Sequence, residues 1–137
     1  MIARLVGQID ESQYEKPLEE GRFTPREVVA HLADWEPIMR DRIRQAVESP
    51  GSTIEAFDEG QMAIDHGYAK TDIHERARVF HQERSKTTHY VEGLTGDELK
   101  RAVTHPERGR QTAEDLVGML LGHDMYHVEQ LSGYLGG

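Results

Sequence analysis

Apolar residues recur along this chain at intervals of three and four, and no segment of any length alternates with period two, so the pattern predicts helices throughout. Ile2, Leu5, Val6 and Ile9 mark a first helix that loses definition near Pro17 and Gly21. The second helix has the strongest start signal. Thr24-Pro25-Arg26-Glu27 joins an N-cap threonine, a proline at the first helical position and a glutamate at the third, able to bond back to the cap. Val28, Leu32, Trp35, Met39, Ile43 and Val47 then follow at steps of 4, 3, 4, 4 and 4, forming one apolar stripe. Pro37 lies inside that stripe and predicts a kink or local bulge near residues 33–37. Ser49-Pro50-Gly51 is a breaker cluster that should end the helix.

Residues 51–70 are polar, with glycines at 60 and 67, and read as a crossover that holds a short helix around residues 54–64. A third helix is predicted from about Thr71 to Gly93, with Ile73, Ala77, Phe80, Thr87, Val91 and Leu94 roughly on one side. Residues 94–110 are rich in turn formers and read as a linker. A fourth helix begins at the N-cap candidate Thr112, with Glu114 and Asp115 suited to the positive end of its dipole. Its inner face is marked by Leu116, Leu120, His123, His127, Leu131 and Tyr134, and Gly136-Gly137 is the predicted end. Four helices sharing one core make residues 1–137 a single all-α domain, a four-helix bundle.

Composition narrows the function. A net charge of −9 excludes the basic footprint that phosphate contacts require, so no nucleic-acid partner is expected. Arg40, Arg42 and Arg44, interleaved with Asp41, read as the wet face of the second helix. The chain has no cysteine, which excludes disulfides, thiolate ligands and a cysteine nucleophile, and which suits a reducing compartment. The apolar run at residues 117–122 is far too short to span a bilayer. The opening residues lack the apolar core of a signal peptide, so the expectation is a cytoplasmic protein with no membrane partner.

The chemistry gathers at His123-Asp124-Met125-Tyr126-His127-Val128-Glu129-Gln130. Histidines at i and i+4 share one helix face, and their ring nitrogens can converge on one ion. Both lie in line with Leu116, Leu120 and Leu131. Two polar rings are therefore driven inward, where each needs a partner or costs roughly 1–3 kcal/mol. His31 repeats the anomaly on the second helix, three residues after Val28 and four before Trp35. A third imidazole from a facing helix would complete a three-histidine ligand set with positions left for water or substrate. Gln130 and Asp34, each one turn from a histidine, are candidates to orient the ligands. The residues alone leave open that these are core or surface histidines satisfied by ordinary hydrogen bonds. His66, His74, His81, His89 and His105 have no such context, although His66 could lie near a site mouth, and Trp35 is either a core anchor or a pocket wall. The HExxH motif is absent because Asp124 follows His123, and no phosphate-binding glycine loop or nucleophile elbow occurs.

The run Phe23-Thr24-Pro25-Arg26-Glu27-Val28-Val29-Ala30-His31-Leu32-Ala33-Asp34-Trp35-Glu36, paired with the late His123–Gln130 motif, resembles the DinB-like (damage-inducible) metalloprotein superfamily. The resemblance spans nearly the whole chain, carried by two short motifs in the right order. It implies an up-down-down-up bundle, whose long connection joins the second and third helices. It also implies a divalent metal, zinc or nickel, on residues matching His31, His123 and His127, and a homodimer. Relatives with known activity are mostly transferases that activate a low-molecular-weight thiol, such as bacillithiol or mycothiol, for attack on an electrophile. A metal-dependent hydrolase and a non-catalytic metal-binding stress-response protein are the alternatives. Phe23, where tryptophan is common, and Pro37 depart from some relatives.

Overall fold

A computed structural model describes residues 1–135, and the predicted stop at Gly136-Gly137 lies outside them. Six helices and one hairpin follow in the order α1 (Ile2–Gln8), α2 (Pro25–Glu48), α3 (Glu59–Asp65), α4 (Ile73–Glu92), α5 (Gly96–Leu99), β1 (Ala102–His105), β2 (Gly109–Thr112) and α6 (Ala113–Ser132). The two predicted caps are present as full capping boxes. Thr24 and Glu27 exchange bonds at the start of α2, and Thr112 and Asp115 do the same at the start of α6. Pro37 sits inside α2, which runs through it as one 24-residue helix.

Ion pairs and aromatic contacts give the directions of the long helices. Arg26 reaches the Thr71 carbonyl, Glu36 meets Arg84, and Arg44 lies over Tyr90. Contacts thus advance together along α2 and α4, and the two helices run parallel. Against α6 the order reverses, with His31 near His127 and Trp35 nearer His123. A parallel neighbour cannot be reached by a tight turn, so residues 49–72 must carry the chain back along the bundle. They do so with α3 and a 3₁₀ turn at Tyr68–Lys70.

The expected linker at 94–110 is corrected. It holds α5 and an antiparallel hairpin with Val103 opposite Gln111 and His105 opposite Gly109. The start of the crossover adds backbone bonds to this hairpin, from the Ile54 N–H to the Thr104 carbonyl and from the Thr104 N–H to the Ser52 carbonyl. The molecule is therefore mostly helical with a small sheet at one end, rather than purely helical.

Two apolar clusters fill the interior. One joins Val6, Val28, Leu32, Ile73, Phe80 and Leu131, and the other joins Trp35, Met39, Ile43, Val103, Leu116 and Leu120. On α6 the clusters are separated by the stretch that contains His123 and His127. Among the described residues no helix is long and apolar enough to cross a membrane.

Candidate metal centre

Helix geometry delivers the three histidines to one point. The capping box at Thr24 fixes the register of α2 and so sets His31 on its buried face, 1% exposed. The box at Thr112 does the same for α6, where His127 is 7% exposed and His123 is partly buried. The Nε2 atoms of His31 and His123 are 2.9 Å apart, and those of His123 and His127 are 3.3 Å apart. One ligand atom from each of the three lies within 4.8 Å of the others. Nitrogens about 2.1 Å from a common ion would stand about 3.0–3.4 Å apart in tetrahedral or octahedral arrangements. The observed spacings match.

Proton placement supports the same reading. Gln130 Oε1 accepts from His127 Nδ1 at 3.0 Å, which fixes the ring proton there and leaves the Nε2 lone pair facing the other two rings. Three converging imidazoles cannot all be charged. Burial, reinforced by the neighbouring rings His123 and His127, lowers His31 to about 3. Burial, with His127 and Arg84 beside it, lowers His123 to about 4. Burial also lowers His127, opposed by its bond to Gln130. Neutral imidazole is the form that ligates a cation. The residues fit a divalent transition metal bound by nitrogen.

The supporting shell differs in part from expectation. Gln130 takes the orienting role anticipated for it. Asp34 does not join the ligands: it accepts from the Tyr68 hydroxyl at 2.8 Å and pairs with His66, which ties the crossover to α2. No carboxylate belongs to the histidine group among the described residues, so a metal held by these three rings would have its remaining coordination positions open. Phe23 and Trp35 flank His31, with ring centroids 5.6 and 6.0 Å away.

Sequence reasoning missed a second polar group beside the site. Glu36, fully buried, accepts two bonds from Arg84, each 2.9 Å, and Arg84 also bonds Asp124. Asp124 Oδ1 stands 3.5 Å from His123 Nδ1, an atom otherwise buried without a partner. A signal existed, because Glu36 falls four residues after Leu32 and three before Met39, within the apolar stripe. The arginine run was also misread. Arg42 is buried rather than wet, lying over the rings of Trp35 and Phe57 at 5.2 and 5.7 Å. His105, dismissed in the linker, is buried too.

A cavity of about 480 Å³ opens beside His123, walled by Trp35 and Phe57, with Met119 and Leu120 from α6 and His105 from the hairpin. Trp35 is thus both a core anchor and a pocket wall.

The sequence profile of the DinB superfamily matches residues 1–131. The chain belongs to the DinB superfamily. Among its relatives is YfiT of Bacillus subtilis, 23% identical over 132 residues, covering 96% of this chain and 74% of that protein. A protein of Oceanobacillus iheyensis is 21% identical over 130 residues, covering 95% of this chain and 75% of its own length. Both carry names that assign them provisionally to the metal-dependent hydrolases. The solved structure of YfiT, described as an unusual four-helix bundle topology, superposes with a TM-score of 0.90 at 24% identity, over 98% of this chain and 79% of that one. A mycothiol-dependent maleylpyruvate isomerase shares the fold at a TM-score of 0.75 and 14% identity, over 95% of this chain and 54% of that one. At these identities the structural likeness establishes the DinB fold, and the metal-dependent names agree with the histidine cluster.

Proposed function

We propose that this DinB protein is a metal-dependent enzyme whose three-histidine centre serves the cavity beside it, and that its reaction is transfer of a low-molecular-weight thiol to an electrophile. The single observation that carries an enzymatic role is the open ligand set. Asp34, the one candidate for a fourth protein ligand, is occupied by Tyr68 and His66, whereas a structural or storage site would be closed. His31, His123 and His127 would hold zinc or nickel, both suited to imidazole. When bound, such an ion supplies Lewis acidity that makes a nucleophile available near neutral pH. The chain's own residues do the rest. Gln130 holds the proton of His127 on Nδ1, and Trp35, Phe23 and the two apolar clusters keep water from the buried side of the ligands. The parallel placement of α2 and α4 supports an up-down-down-up arrangement of the bundle.

Hydrolysis is the second reading, favoured by the names of the relatives from Bacillus and Oceanobacillus. Thiol dependence separates the two. Metal-loaded protein should conjugate 1-chloro-2,4-dinitrobenzene with a small thiol above the uncatalysed rate, and chelation should return the rate to background. A rate on 4-nitrophenyl acetate that needs metal but no thiol would replace transfer with hydrolysis. No metal-dependent rate in either assay would remove the enzymatic reading.

A further inference from the structure

The cavity beside His123 contains a buried cation held in no direct ion pair among the described residues. Arg42 is 8% exposed, yet it forms no ion pair among the described residues, and neither does Arg108 across the same cavity. Of the five N–H donors of Arg42, one bonds the Glu55 carbonyl at 2.8 Å and one touches the Met39 sulfur at 3.8 Å, while Nε is buried with no partner. Its guanidinium carbon lies 5.2 and 5.7 Å from the Trp35 and Phe57 ring centroids, and those two rings stand edge to face. A buried donor without a partner is costly, and a ligand that accepts from Nε would relieve that cost.

His105 adds a donor of known orientation. Its Nδ1 accepts the backbone N–H of Glu107 at 3.0 Å and that of Arg108 at 3.1 Å. The hairpin turn therefore fixes the ring proton on Nε2, which bonds no protein atom among the described residues, and the ring lines the cavity. Glu59 and Glu107 also line the cavity and neither makes a direct ion pair with an arginine, although Glu59 stands close enough to Arg108 and Arg42 for their charges to oppose the rise that burial imposes on its carboxyl. The floor is thus donor-rich, the walls are aromatic and aliphatic, and His123 of the histidine cluster lies at one side.

We propose that this cavity is a subsite for an organic carboxylate, with Arg42, Arg108 and the Nε2–H of His105 taking the carboxylate and Trp35, Phe57, Met119 and Leu120 taking an apolar body. The subsite selects the substrate class of the proposed enzyme: an acid whose reactive end is presented toward the histidines while its carboxylate is held away from them. That assignment of a reactive end rests on the metal-centre reading, whereas binding of the acid does not.

Trp35 is the sole tryptophan of the chain and lines the cavity, so its fluorescence reports occupancy directly. The full-length protein is titrated with 3-phenylpropionate and with its neutral amide, both as purified and after chelation of metal. The acid should give a saturable change and bind about tenfold more tightly than the amide, as expected for charge-assisted hydrogen bonds. Chelation should leave that preference in place. Arg108→Gln, at an exposed turn, and Arg42→Lys should each weaken the acid at least about fivefold with the amide unchanged, the planar fork of arginine being what lysine lacks. Should Arg42→Lys fail to fold, Arg108→Gln decides alone. Equal binding of acid and amide, or full affinity in Arg108→Gln, would overturn the subsite. Binding of the acid that vanishes on chelation would also overturn it, since the carboxylate would then be a metal ligand; the metal-centre reading would survive.

Discussion

Each of the three histidines is shaped to ligate a metal by what surrounds its ring. His31 is buried between Phe23 and Trp35, His127 has its Nδ1 proton held by Gln130, and His123 meets both through Nε2. Burial that keeps these rings neutral has a measurable consequence in the metal-free protein. The folded values lie below the ordinary 6.5, at about 3 for His31 and about 4 for His123. The unfolded chain therefore binds protons that the folded chain refuses. Stability of the chelated protein should be unaffected by these rings above pH 6.5, fall as the pH drops below it, and level off near the folded values. Urea midpoints at pH 7.5 and pH 5 should show the loss, and His31→Leu should show a smaller loss than the parent. An equal loss in both would contradict the origin assigned here. The pair at 123 and 127 was legible in the sequence because four residues is one helical turn and both positions fall on an apolar face. Arg42 was not, because its burial depends on Phe57 and Glu55 arriving from the crossover, which carries no periodicity.

At the scale of elements, caps decide where ligands point. A 20-residue helix that slipped or frayed at its start would rotate both histidines of α6 off the shared point. Thr112 accepts from the Asp115 N–H at 3.0 Å, and Asp115 returns the bond to the Thr112 N–H at 3.0 Å. Thr112→Ala should cost about 1 kcal/mol of stability, read as a lower urea midpoint with an unchanged slope. No shift would show that α6 is held by packing alone. The two long capped helices were legible because the cap, the proline at the first position and the apolar stripe all agree. The hairpin was not, because its strands are four residues long and only Val103, His105 and Gln111 turn inward. So short an alternation is indistinguishable from a turn-rich linker, and the crossover adds to it only a single bridge, Thr53 to Thr104.

Across the whole molecule, one polar clip joins the three long helices behind the ligands: Glu36 on α2, Arg84 on α4 and Asp124 on α6. Removing the cation strands a carboxylate in the core, so Arg84→Met should destabilise the fold by about 3 kcal/mol. Glu36→Leu combined with Arg84→Met should recover part of that loss, as measured by urea unfolding. A double variant as unstable as the sum of its parts would show that the two residues act independently. The clip reaches His123 through Asp124, so the same three helices that build the core also set the spacing of the histidines. The account depends on those ligands meeting at one ion. Metal analysis of tag-free protein tests this most directly. We predict close to one divalent transition-metal ion per chain in the parent, and loss of that ion in each of His31→Ala, His123→Ala and His127→Ala while the helical circular dichroism signal persists. A parent without metal, or a folded variant that keeps the full ratio, would contradict the account.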